Sequence, residues 1–203
     1  MAMIHLEPQT LEMFSRALDG LKPPPNLSLS QWADKYRKLS AEASASQGQW
    51  NTDAAPFQRE IMDAIGDVHV RKVVAMMCAQ AGKTEGLILN TIGFYMSYHP
   101  ASIMVMQPTV NLGESFSKDR LTPMLRDTPA LRGLVNTKSR YSGNTISKKN
   151  FPGGMLVIVG ANAPTDLRSR PIKVLLADEV DAYKASAGKE GDPVMLAEER
   201  QTT

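Results

Sequence analysis

The chain has 203 residues and a formal net charge of +2, with 23 lysines and arginines against 21 aspartates and glutamates. That length buries one sizeable core and argues against a second full domain; so small a charge excludes a protein that coats nucleic acid by bulk charge, so any DNA contact must come from local patches. Cys78 is the only cysteine, which excludes an intramolecular disulfide or a multi-cysteine zinc site and fits a reducing compartment. No apolar run approaches the roughly 20 residues that span a bilayer, and Met1 to Thr10 has neither the basic nor the apolar region of a secretion signal, so the expectation is a soluble, cytoplasmic protein.

In chain order, a helical pattern from Leu11 to Leu18 stops at Gly20 and is cut by Lys22-Pro23-Pro24-Pro25, a stiff linker. Residues 1–27 therefore read as a short helical appendage. A second helix begins at Ser28 or Ser30 and runs through Trp32, Ala33, Tyr36 and Leu39, and Ser40 to Asn51 reads as an extended surface loop, so 28–54 is a helix with a lead-in loop. The remaining 55–203 alternates. It offers a helix at Phe57–Ile65, a β-branched strand at Arg71–Met77, a helix from Gly82 to Met96, a strand at Ser102–Met106 and a helix from Leu112 to Leu125. Strands at Met155–Val159 and Lys173–Ala177 follow. Continuously apolar strands separated by helices predict a mainly parallel sheet covered on both faces, a three-layer α/β domain.

Two motifs give this domain a chemistry. Met77-Cys78-Ala79-Gln80-Ala81-Gly82-Lys83-Thr84 fits the phosphate-loop pattern G-x-x-x-x-G-K-[ST] except for its first glycine. Backbone N–H groups of Gln80, Ala81 and Gly82 at a helix N-terminus would cradle phosphates, Lys83 would reach the β- and γ-phosphates, and the Thr84 hydroxyl would hold Mg²⁺. The competing reading is an ordinary strand-to-helix turn with a solvated lysine. The second motif is the apolar run Ile172–Ala177 ending in Asp178 and Glu179. In such a site the first carboxylate holds the metal and the second polarises the attacking water; taken alone, the pair is equally an acidic helix start. Together the motifs predict a P-loop domain that hydrolyses ATP with Mg²⁺.

Several segments in one order resemble the GpA type of bacteriophage terminase large subunit, in its N-terminal ATPase part. They are Trp32-Ala33-Asp34-Lys35-Tyr36-Arg37, Gly48-Gln49-Trp50, Pro56-Phe57-Gln58-Arg59-Glu60, Gln80–Glu85, Gln107-Pro108-Thr109, Leu121–Leu125, Asp178–Asp181 and Glu190–Pro193. The resemblance implies an ATP-driven motor that packages double-stranded DNA into a procapsid in the host cytoplasm. It implies as partners a small terminase subunit, for which the Leu11–Leu18 face is a docking candidate, and the portal, with assembly as a ring. It also implies that Phe57 and Gln58 contact adenine, the ring by stacking and the amide by hydrogen bonds. Many large terminases carry an arginine where this chain has Ala79. The transition-state cation is then expected from Arg168, or from Arg170, just before the acidic strand. The family's next strand, its coupling motif and its nuclease domain are not in this sequence, so the chain is expected to be truncated and not to cut DNA. Arg132, Lys138, Arg140, Lys148 and Lys149 form a diffuse basic stretch that either grips DNA phosphates or is a solvated loop. A helicase-like ATPase and a nucleotide-binding fragment without turnover remain as alternative functions.

Overall fold

The structure, a computed structural model, describes residues 10, 12–14, 26–42, 47–136, 143–163 and 171–201. Most of the expected Leu11–Leu18 helix and the proline linker lie outside them. Helix α1 (Leu29–Tyr36) starts where the sequence supplies a cap, Ser28 and Gln31 each accepting from the other's backbone N–H. The helix stops at Tyr36 rather than running through Leu39, and the chain forms a small hairpin of β1 (Lys38–Leu39) and β2 (Gly48–Gln49), the second strand lying where a plain loop is expected. Helix α2 (Phe57–Gly66) follows. Helix α3 covers 84–97; its first turn, Thr84–Leu89, is π-helical and Asn90–Ser97 is α-helical.

Strand β3 (Ile103–Gln107) leads into α4, which covers 110–127 with a second π-helical stretch at Ser117–Leu121. Next come β4 (Lys148–Phe151) and β5 (Gly154–Gly160), joined by a Pro152-Gly153 turn in which Gly153 has φ 84°. Strand β6 (Val174–Ala177) and α5 (Pro193–Glu198) complete the described elements. The sheet order is β4-β5-β3-β6. Strands β5 and β6 both pair parallel with β3, and only β4 is antiparallel, so the expected mainly parallel α/β sheet is present.

Strand β3 is buried on both faces. Ile103 and Val105, with Leu156, Ile158 and Leu176, face a core filled from α1 to α4 by Leu29, Trp32, Met62, Leu89, Phe94 and Leu121. Met104 and Met106, with Val159, face a second core built from Ile172, Ala187, Leu196 and Ala197. Such two-sided burial explains why the strands read as continuous apolar runs. The α1 segment belongs to the first core. Trp32 lies so close to α3 that a Cβ on Gly93 would sit 2.3 Å from its ring, and its indole N–H donates to Ser97 Oγ at 3.2 Å.

The expected strand at Arg71–Met77 is not formed. Residues 71–78 are irregular, with Val74 82% and Met76 100% exposed, and Lys72 is held by Glu198 at 2.5 Å. A β-branched run forms a strand only against a partner edge, and no described strand pairs with this one. Strand β6 is an edge of the sheet, and just before it an isolated parallel bridge joins Ile172 to Gln201.

The Trp32–Gly93 contact yields a test. Gly93→Ala should destabilise the chain by about 1–3 kcal/mol through overpacking against the indole, read as a lowered urea midpoint at unchanged slope. An unchanged midpoint would mean that α1 is not docked on α3.

Candidate functional site

The N-terminus of α3 and the C-terminus of β6 meet, and most of the residues singled out in the sequence gather there. Lys83 Nζ lies 2.9 Å from Asp178 Oδ1. Asp178 is only 6% exposed, because it is the residue at which β6 leaves the sheet beside the end of β3. Its backbone N–H donates to Met106 O at 3.0 Å, and its Oδ2 accepts from Gln107 Nε2 at 3.1 Å. Partial burial pulls the Lys83 ammonium down, but the bond and charge of Asp178, with Glu179 and Asp181 behind it, outweigh that and hold its pKa above the ordinary value. Lys83 is therefore a cation at neutral pH.

The backbone on both sides of this pair is bent. Among the described residues the only non-glycine positions with positive φ are Gln80 at 60° and Glu179 at 53°. Gly82 at φ 76° completes the turn into α3. Glycine adopts that region freely, whereas Gln80 and Glu179 each carry about 1–3 kcal/mol of strain there. Glu179 is exposed beyond the buried Asp178. Tyr183, a few residues on, donates its hydroxyl to Met106 O at 2.8 Å. Burial pushes its pKa up, and the Asp178 and Glu179 charges add to this, so the phenol stays protonated and pins the turn to β3.

Gln58 braces the loop from the other side. It is 2% exposed and donates from Nε2 to Ala81 O at 2.6 Å. A Cβ on Gly86 would fall 1.9 Å from Gln58 Oε1, and one on Gly82 2.8 Å from Nε2, so both glycines make room for this amide. Gln58 Oε1 is buried without a hydrogen-bond partner. Phe57 beside it is exposed at the start of α2. The residues present suit a hard divalent cation. Thr84 opens α3, and Asp178 Oδ1 is a buried carboxylate oxygen that faces the Lys83 ammonium. Mg²⁺ takes one or two protein ligands and leaves the rest to phosphates and water, a demand these two side chains can meet.

Gln107, Tyr183, Gly86 and Arg37 belong to this neighbourhood and were given no role by sequence reasoning. Gln107 and Arg37 lie in segments that resemble a family, but only tertiary contacts reveal what they hold. Arg168 and Arg170 lie outside the described residues, as do Lys138 and Arg140. The basic stretch loses a member: Lys149 is 7% exposed, and its ammonium donates to Thr145 O and, at 3.0 Å, to Ile146 O. Burial lowers its pKa. It caps two carbonyls inside the fold and is not a surface phosphate contact.

No described helix is long and apolar enough to cross a membrane. No solved structure matches the chain. The terminase large subunit of Enterobacteria phage P21 is 30% identical over 179 residues, covering 87% of this chain, and that of Escherichia phage lambda is 29% identical over 193 residues, covering 94%. The chain spans only 27% and 30% of those two proteins. The model of the family described as "Phage terminase large subunit gpA, ATPase domain" matches residues 44–203. A match over most of the length, with Lys83 and Asp178 in contact inside it, means that the chain belongs to the phage terminase large subunit gpA family, within its ATPase domain.

Proposed function

We propose that this chain is the motor ATPase of a terminase large subunit, a P-loop domain that hydrolyses ATP to drive double-stranded DNA into a procapsid. The observation that carries this reading is the Lys83–Asp178 contact, 2.9 Å long, at the junction of a glycine-led helix start and a buried strand end. Those are the two parts that phosphoryl transfer to water requires, since its catalysis is mostly positioning and charge stabilisation.

In this reading Lys83 moves from Asp178 to the β- and γ-phosphates, while the N–H groups of Gln80, Ala81 and Gly82 take the phosphate oxygens. Thr84 and Asp178 would hold Mg²⁺, which when bound neutralises phosphate charge. Gln107 keeps the Asp178 carboxylate in one orientation through its 3.1 Å bond. Glu179, displaced from the sheet by its left-handed backbone, orients and deprotonates the attacking water. Phe57 offers an exposed ring on which adenine stacks. The unpartnered Gln58 Oε1 is the acceptor for the adenine amino group, so one amide links base recognition to the loop it braces. Arg168, before the acidic strand, is the proposed transition-state cation. Double-stranded DNA, a small terminase subunit and the portal are the proposed partners, with a ring as the working assembly and the host cytoplasm as its place.

Four outcomes test the assignment. Steady-state hydrolysis of Mg-ATP, with and without duplex DNA, should fall roughly 10²- to 10³-fold in Lys83→Ala. In Glu179→Gln it should fall about 10²- to 10⁴-fold with nucleotide binding kept; binding without turnover in the parent chain would reduce the domain to a nucleotide-binding fragment. Gln58→Ala should lose discrimination between ATP and GTP as well as rate, whereas an equal loss for both nucleotides would leave Gln58 only a loop brace. Gln80→Gly should raise stability by about 1 kcal/mol by releasing the left-handed strain and lower turnover by loosening the loop; a destabilised variant would contradict the strain.

A further inference from the structure

Arg37 is 1% exposed, a guanidinium at the junction of α1 and β1 inside the fold. Its backbone is fixed on both sides, by its N–H to Ala33 O and by Trp50 N–H to its own carbonyl, each at 2.9 Å. Its Nη1 donates to Lys38 O, and its Nη2 donates to Glu85 Oε2 at 2.6 Å. Glu85 follows Thr84 directly, in the π-helical first turn of α3. Arg120 of α4 approaches the other Glu85 oxygen at 3.8 Å. Burial pushes the Glu85 carboxyl up, while Arg37 and then Arg120 act against it.

Burying a charge pair is expensive unless its geometry is fixed, and it adds little stability over an apolar pair of the same size. Here the pair has a place that packing alone does not require. π-turns are rare and concentrate at functional positions, and this one carries Lys83 and Thr84 at its start. Lys83 is held on the sheet side by Asp178; Glu85, two residues later, is held on the α1 side by Arg37. The turn is thus fixed from two directions.

We propose that Arg37 is a positioning residue for metal-dependent nucleotide binding: acting through Glu85, it holds the turn that presents Thr84. This rests on the nucleotide-site reading above. The test uses the purified chain with a fluorescent ATP analogue, titrated in Mg²⁺ and in EDTA, for the parent, Arg37→Lys and Glu85→Gln, each checked by circular dichroism and thermal unfolding. In the parent, Mg²⁺ should tighten binding. In the variants that gain should shrink about 10- to 100-fold, the effect typical of losing a partner that orients a ligand-bearing group, while affinity in EDTA changes little. Glu85→Gln keeps the side chain's shape and loses only its charge, so it remains informative if Arg37→Lys does not fold. Folded variants with an undiminished Mg²⁺ gain would overturn the proposal alone and leave the pair structural. A parent chain that binds no nucleotide would overturn both this proposal and the nucleotide site.

Discussion

The ion pair between Lys83 and Asp178 is the constraint around which the rest of the structure is arranged. It forces the start of α3 and the end of β6 to the same point, although 94 residues separate them (178 − 83 − 1). The parallel register makes that convergence possible. Met106 pairs with Ala177, so Gln107, the last residue of β3, and Asp178, the first beyond β6, lie side by side and join through side chains. Tyr183 returns to the same Met106 carbonyl region. The end of β3 is therefore a hub to which the acidic turn is tied three times, by the Asp178 N–H, the Gln107 amide and the Tyr183 hydroxyl.

Strain is found at the same place. Gln80 and Glu179, on opposite sides of the ion pair, have left-handed backbones, an arrangement that persists only where surrounding contacts over-determine it. Gln58 supplies such a contact for the loop through Ala81 O, and the Val180–Ala182 turn capped by Tyr183 supplies one for Glu179. Two soft segments are thus held in uncommon conformations by rigid neighbours, the arrangement expected where charge must be presented to a ligand rather than buried.

The sequence made parts of this legible because the signals were local. Lys83 and Asp178 sit in the two motifs that the fold brings together, and helices such as Phe57–Gly66 and the buried strands announce themselves by their apolar patterns. What failed was whatever depends on a distant partner. Residues 71–77 have strand propensity but pair with no strand among the described residues, so propensity does not decide their state. Strand β4 was missed because Lys148-Lys149-Asn150-Phe151 reads as a polar loop, and only its antiparallel pairing with β5 makes it a strand. Gln107 and Gly86 have roles defined entirely by side chains far along the chain.

Charge is where residue counting is most easily misread, and among the described residues two buried cations show why. Lys149 and Arg37 both enter the formal balance as surface-like positive charges, yet one is spent on interior carbonyls and the other on Glu85. Carboxylates leave the surface with them, Glu85 beside Arg37 and the buried Asp178 elsewhere, so the outside keeps close to the small formal balance. In the proposed motor a DNA-facing surface would rest on individual residues such as exposed Arg132 and half-buried Lys148 rather than on an overall excess. The same argument runs inward. Arg37 is buried beside Glu85, so the pair brings almost no net charge into the interior, and what it supplies is a fixed side-chain geometry between α1 and the first turn of α3.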